Sequence, residues 1–325
     1  PIRMGNPELK WQRVLKNNFG LDMTLFKERL VIGFDYFRNT TKDQLMSIPL
    51  PASTGAEDIT VNFGENQNVG YEFSVAAQVI RSKNWAWTTV INGSHVKDRI
   101  NRISTTLKNT SYQIEEDSPL RLRFREGGSQ YDIYAVRSAG IDPATGQEIF
   151  IDRNGEYTFR YDADDEVVVG NTQPKLQGTW LNTLRYKGWS LNLVFSYKFG
   201  GDTYNKTLWS KVEDIDPRYN VDARAFTDRW KRPGDLSRFL AIKEIRPEDS
   251  SYSSERFVER LNELWLSSAM LTYEFQAKFL KRIGFKRLAI GVGVSDIFRL
   301  STVKYERGTS YPYSRTINLV FRPTF

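Results

Sequence analysis

From Trp189 the odd positions read Trp189, Leu191, Leu193, Phe195, Tyr197 and Phe199, and the even ones Ser190, Asn192, Val194, Ser196 and Lys198. Neighbouring side chains of a strand point to opposite faces, so this pattern predicts one aromatic, apolar face and one mostly polar face. Val69, Tyr71, Phe73, Val75, Ala77 and Val79 repeat it against Gly70, Glu72, Ser74, Ala76 and Gln78. Leu176, Trp180, Leu184 and Tyr186 share a face, as do Trp265, Leu271, Tyr273 and Phe275. Leu30 to Tyr36, Leu288 to Val294 and Ile317 to Phe325 alternate in the same way, and Trp11 to Met23 and Trp85 to Gly93 do so with more noise. The chain therefore predicts nine strands, each able to supply the roughly 9–11 residues that a tilted membrane strand needs.

The connections sharpen this reading. Links at Met23–Lys27, Arg81–Trp85 and Lys187-Gly188 are short, and Phe275–Lys286 is compact. They alternate with long links at Asn39–Asn68, Lys97–Lys175, Gly200–Arg260 and Phe298–Ser314. Every long link thus falls at one end of an up-and-down sheet, the arrangement of an outer-membrane barrel with short periplasmic turns and long external loops. The C-terminus falls at the short-turn end. Tyr131–Ser138 reads as part of an additional strand pair inside the longest link. Trp85, Trp87, Trp189, Tyr273 and Phe275 stand beside short turns, where an interfacial aromatic belt belongs.

Composition removes other classes. The 325 residues contain no cysteine and one histidine, His95, so neither a disulfide, a thiolate site nor a histidine metal cluster can form within the chain. No phosphate-binding glycine loop follows a strand. The net charge of +7 is spread along the chain, so no nucleic-acid partner is expected. The mean hydropathy of −0.51 suits a soluble protein, but it also suits strands that alternate lipid-facing and polar residues. A soluble sandwich or propeller with its aromatic face in a core is the competing fold.

Several ordered segments carry a resemblance. They include Asn6-Pro7-Glu8-Leu9-Lys10-Trp11, Gly20-Leu21-Asp22, Thr41-Lys42-Asp43-Gln44-Leu45, Asn68-Val69-Gly70-Tyr71-Glu72 and Gly140-Ile141-Asp142-Pro143-Ala144-Thr145-Gly146. Tyr186-Lys187-Gly188, Phe199-Gly200-Gly201 and Arg229-Trp230-Lys231-Arg232-Pro233-Gly234-Asp235 continue the series. Together they resemble the barrel of SusC/RagA-type TonB-dependent outer-membrane transporters across nearly the whole chain. The resemblance implies an all-β, antiparallel up-and-down transmembrane barrel, with residues 1–325 as the C-terminal portion of a 22-stranded plugged barrel. The opening Pro1-Ile2-Arg3 has neither an initiator Met nor a signal peptide, so the plug and first strands are expected outside this chain. It implies uptake of a large nutrient, glycan or oligopeptide, in the bacterial outer membrane. Implied partners are a SusD-like surface lipoprotein, the TonB complex through the missing N-terminal part, the barrel-assembly machinery and outer-membrane lipid. No cofactor, metal or catalytic residue is expected. The alternative is a secreted glycan-binding or structural β-protein.

A few residues stand out individually. Asp162, Asp164, Asp165 and Glu166 lack the spacing of a helix-loop-helix calcium site and read as a solvated loop tip, as do Glu115-Glu116-Asp117. His95 reads as an ordinary polar position. Trp209 and Trp230 are candidate sugar-stacking platforms in a long loop, with loop stapling as the blander role. Phe325 shares the apolar face of the last strand, and the resemblance implies that such a terminal aromatic is read as an assembly signal.

Overall fold

The computed structural model describes residues 4–50, 52–104, 111–113, 121–215, 220–242, 253–275, 284–304 and 315–325. Four long strands come first: β1 (Arg13–Leu25), β2 (Leu30–Pro49), β3 (Asp58–Arg81) and β4 (Trp85–Ile103). Seven short strands follow: β5 (Ser111–Gln113), β6 (Arg121–Arg123), β7 (Asp132–Ala135), β8 (Arg137–Ile141), β9 (Glu148–Ile151), β10 (Tyr157–Thr158) and β11 (Val167–Asn171). Five strands complete the chain: β12 (Leu176–Tyr186), β13 (Trp189–Tyr204), β14 (Val258–Phe275), β15 (Arg287–Ser301) and β16 (Ile317–Thr324). The nine long strands form one antiparallel sheet in the order β1-β2-β3-β4-β12-β13-β14-β15-β16, each paired with its neighbour in sequence once the insertion between β4 and β12 is set aside.

Local chemistry sets the turns. Leu25 pairs with Leu30, and Phe26, Lys27 and Glu28 close that link at positive φ. Tyr186 pairs directly with Trp189, leaving a two-residue loop in which Lys187 sits at φ 52°. At the other end the strands run further than the alternation suggested. β2 continues to Pro49 and β3 begins at Asp58, so most of the long link read at Asn39–Asn68 is a protruding hairpin. Bulges between Thr41 and Leu45 obscure the alternation there.

One expectation is met and one needs correction. Tyr131–Ser138 does supply strands to additional pairs inside the longest link: β7 joins β11, and β8, which begins at Arg137, joins β9. Trp265 does not share a face with Leu271 and Tyr273. Val194 stands opposite Ser268 but Phe195 opposite Leu266, so Ser267 is an extra residue in β14. That bulge reverses the parity, turning Leu266 to the apolar face and Trp265 to the polar one. The expectations at Glu115-Glu116-Asp117 and within 276–283 and 305–314 lie outside the described residues.

Candidate functional site

The sheet has two chemically distinct faces. Phe19, Phe34, Trp180, Leu271, Ile290, Leu319 and Phe321 all lie on one face and are all exposed. Trp85, Tyr186, Trp189 and Tyr273 form an aromatic row across four adjacent strands at the short-turn end, with ring centroids 4.3 Å apart for Trp85–Tyr186 and 4.7 Å for Trp189–Tyr273. Such a row places amphipathic rings at a membrane–water interface. Polar atoms in the middle of this face are covered. Thr89 and Asn182 stand opposite each other, and the indole N–H groups of Trp180 and Trp87 donate to them at 2.8 and 3.1 Å. Gly93 and Gly178 also stand opposite each other, and the rings of Phe73 and Tyr197 close over them; Tyr197 donates to the Asn92 carbonyl at 2.8 Å. A side chain at Gly178 would collide with that carbonyl and with the Tyr197 hydroxyl.

The other face is hydrophilic. Ser74 donates to Asn92 at 2.7 Å, Asn92 to Thr179 at 3.3 Å, and Thr183 to Asn192 at 2.8 Å. Asp35 and Glu72 are direct cross-strand neighbours, and Asp22 belongs to the same group of side chains. Like charges opposite one another disfavour pairing unless water screens them, so this face suits a wet interior and not a packed core. Trp265 stands here between two cations, with Lys198 Nζ 6.0 Å and Arg299 Cζ 5.1 Å from its ring. Arg299 also reaches Glu263 at 3.5 Å. Sequence reasoning missed this aromatic because a single serine insertion moved it; the Ser267-Ser268 pair just beyond it was the available signal.

Above the long-loop end, the connections are knitted into one cap. Arg256 Nη2 bridges Glu148 at 2.7 Å and Glu213 at 2.8 Å, all three side chains being nearly fully buried. Arg256 Nη1 donates to the Arg238 carbonyl at 2.6 Å, and the Ser254 hydroxyl donates to Glu148. Glu148 comes from the insertion between β4 and β12, whereas Glu213, Arg238 and Arg256 come from the link between β13 and β14. Burial alone would raise the Glu148 carboxyl; Arg256 and the hydrogen bonds of Arg256 and Ser254 outweigh it and hold it below the usual glutamate value. Glu166 makes a second link, pairing with Arg123 Nε at 3.0 Å and accepting from Ser253 at 2.6 Å.

That corrects the acidic-cluster reading in part. Asp162 caps a short turn by accepting from the Asp164 N–H at 2.9 Å, but Glu166 is 1% exposed and staples two loops. Trp209 lies in an apolar cluster with Leu208, Val212, Phe239 and Phe257, 8% exposed, which leaves its ring no open face for a sugar. Trp230 lies against Gly146 and donates to the Pro143 carbonyl at 2.9 Å, stapling one link to the other. Both tryptophans thus pack the cap. His95 packs against Tyr71, ring centroids 5.2 Å apart and tilted by 37°, and donates from Nδ1 to the Lys175 carbonyl at 2.7 Å. Phe325 continues the apolar face of β16, 73% exposed, its ring 5.1 Å from Phe285. Among the described residues, no group of three or more His, Asp or Glu side chains is placed to hold a metal.

A sheet that exposes one wide apolar face, rims it with aromatics and lines the opposite face with hydrophilic side chains is the wall of a transmembrane β-barrel. The family model described as TonB dependent receptor-like, beta-barrel, matches residues 2–243, and the chain belongs to that family of outer-membrane proteins. TonB-dependent receptor P39 of Formosa agariphila is 25% identical over 92% of this chain and 33% of its own length. TonB-dependent receptor SusC of Bacteroides thetaiotaomicron is 23% identical, covering 83% of this chain and 27% of its own. Among solved structures, that of the RagAB peptide transporter superposes with a TM-score of 0.77 at 21% identity, over 92% of this chain and 33% of its own. The chain spans about a third of the length of the curated relative P39.

Proposed function

We propose that this chain forms part of the barrel wall of a SusC/RagA-type transporter that imports a large nutrient, a glycan or an oligopeptide, driven by TonB through segments outside it. The observation that carries the reading is the pairing of an exposed apolar face with a hydrophilic inner face, which suits a wide, wet lumen. The relative named SusC supports the type of receptor, and the RagAB peptide transporter, whose fold this chain shares, supports an oligopeptide as one cargo class. Among the described residues β1 and β16 are the edges of the sheet, and hydrocarbon does not hydrate open edges, so further strands complete the wall on both sides. The cap supports a SusD-like surface lipoprotein as lid: it is pre-assembled by buried ion pairs and exposes Tyr157, Phe159, Phe226 and Leu236 for contact.

Trp265 is the cargo contact we assign on the inner wall. Its ring offers an apolar face to a sugar or side chain, and Lys198 and Arg299 offer donors to carboxylates or hydroxyls. A strain lacking the transporter, complemented with wild type or Trp265→Ala, should be grown on a panel of glycans and peptides. The expected result is one cargo class that supports wild-type growth and that the variant takes up several-fold more slowly at equal barrel levels. If no cargo depends on the transporter, the import reading fails. Equal uptake by the variant removes Trp265 alone.

A further inference from the structure

We propose that a notch in the outward face of the wall, above the start of β12, binds the phosphate groups of an outer-leaflet lipid. β12 begins at Leu176, while its neighbours β4 and β13 run on to Ile103 and Tyr204. The wall is therefore interrupted between them, and residues 127–132 and 171–175 fill the gap incompletely. A cleft of about 770 Å³ remains, lined by Lys97, Arg99, Lys175 and Arg260 with Tyr71 and His95 at its foot.

The register fixes which way Lys97 and Arg99 face, while Val96 and Asp98, which also line the cleft, point to the other face. Tyr71 stands opposite His95, Val69 opposite Lys97 and Gln67 opposite Arg99, with no bulge between them. Tyr71 belongs to the same face as Phe73 and Phe34, so Lys97 and Arg99 project toward lipid and not toward the inner wall. Depth follows from strand geometry. Lys97 lies twelve residues along β4 from Trp85 in the aromatic row. At about 3.3 Å per residue and a tilt of roughly 40°, that is about 30 Å along the membrane normal, against an apolar band of about 25 Å. Both cations therefore stand in the outer headgroup layer, clear of hydrocarbon.

Four cations line the cleft against three carboxylates, and the carboxylate oxygens are turned to donors of the protein itself. Asp98 accepts from Ser129 and from the Gln130 N–H, and Asp132 accepts from the Ser129 N–H and from Asn171, both at 2.8 Å. Asp202 accepts from the Asn171 N–H at 3.0 Å and pairs with Arg260 at 3.2 Å. Lys97, Arg99 and Lys175 have no ion-pair partner among the described residues. A guanidinium fork with ammonium groups beside it is the arrangement that recognises phosphate. Phosphate on a glycolipid is the anion that a lipid-facing site at this depth meets, and the rings of Tyr71, Phe73 and Trp180 below it provide apolar surface for the acyl chains.

The test uses the whole transporter, purified in detergent, stripped of lipid and titrated with three probes: diphosphorylated lipid A, dephosphorylated lipid A and inorganic phosphate. The expected result is at least about ten-fold tighter binding of the diphosphorylated lipid than of the dephosphorylated one. Lys97→Gln/Arg99→Gln should abolish that preference while heat-modifiable migration and nutrient uptake stay normal. Lys97→Gln alone should weaken it by a smaller factor, which keeps the result readable if the double variant assembles poorly. A preference that survives in a folded double variant overturns the site. Inorganic phosphate binding as tightly as the lipid overturns the lipid source and leaves a free-anion site. Neither outcome depends on transport, so failure here is distinct from failure of the import reading.

Discussion

Arg256→Met is expected to open the loop cap while leaving the membrane sheet intact. The substitution keeps most of the side-chain volume but leaves Glu148 and Glu213 buried without their cation. Removing one partner of a buried, hydrogen-bonded ion group costs about 3–5 kcal/mol, a large share of what holds a small loop assembly closed. Limited proteolysis of intact cells should then cut within 205–215, 220–242 and 136–166, which are expected to resist in wild type. Adding Glu148→Gln and Glu213→Gln should recover much of the protection, because the neutral amides no longer demand a buried counter-charge. If Arg256→Met stays as resistant as wild type, the ion group does not hold the cap. The same group gives the cap a pH dependence. The Glu148 value is lowered in the folded cap, so its contribution is complete above the ordinary glutamate value and is lost as pH falls through the lowered one. Protection should accordingly hold at neutral pH and decline below about pH 4.

Phe325→Ala is expected to lower the amount of barrel reaching the outer membrane several-fold, with near-normal transport per assembled barrel. As one more lipid-facing ring, Phe325 would contribute only about 1.5–3 kcal/mol of burial. Its contact with Phe285 at 5.1 Å fits that modest packing role. An assembly signal would act before the barrel exists, so its loss appears in surface level and not in the stability of what was made. Quantitative surface labelling beside a thermal-mobility assay separates the two. Unchanged surface levels with a slightly lower melting temperature would leave packing as the whole role of Phe325.

What the sequence made legible follows from what repeats. Strand period, loop-length alternation and the aromatic rows depend on neighbours one or two residues apart, so Trp189 to Phe199 declared its two faces unaided. The misreading of Trp265 came from Ser267, since parity is lost wherever a bulge adds one residue and no periodicity reports it. Trp209 and Trp230 look identical in sequence whether they stack on a ligand or on Phe239 and Gly146; only tertiary neighbours decide. The bridge from Arg256 to Glu148 spans 108 residues, beyond the reach of any local pattern. The notch above β12 was hidden for a related reason: it exists because three adjacent strands end at different heights.

The central claim is that one face of this sheet meets lipid and the other meets water. The chain has no cysteine, so single spin-labelled thiols can be placed one at a time along β13 without background from it. Collision with oxygen, which concentrates in hydrocarbon, and with a water-soluble nickel chelate should be measured at residues 190 to 197 in the assembled barrel. The account predicts a period of two: oxygen contact high at 191, 193, 195 and 197, nickel contact high at 190, 192, 194 and 196. Uniform nickel access at both sets, or apolar positions shielded from both reagents as in a packed core, would contradict it.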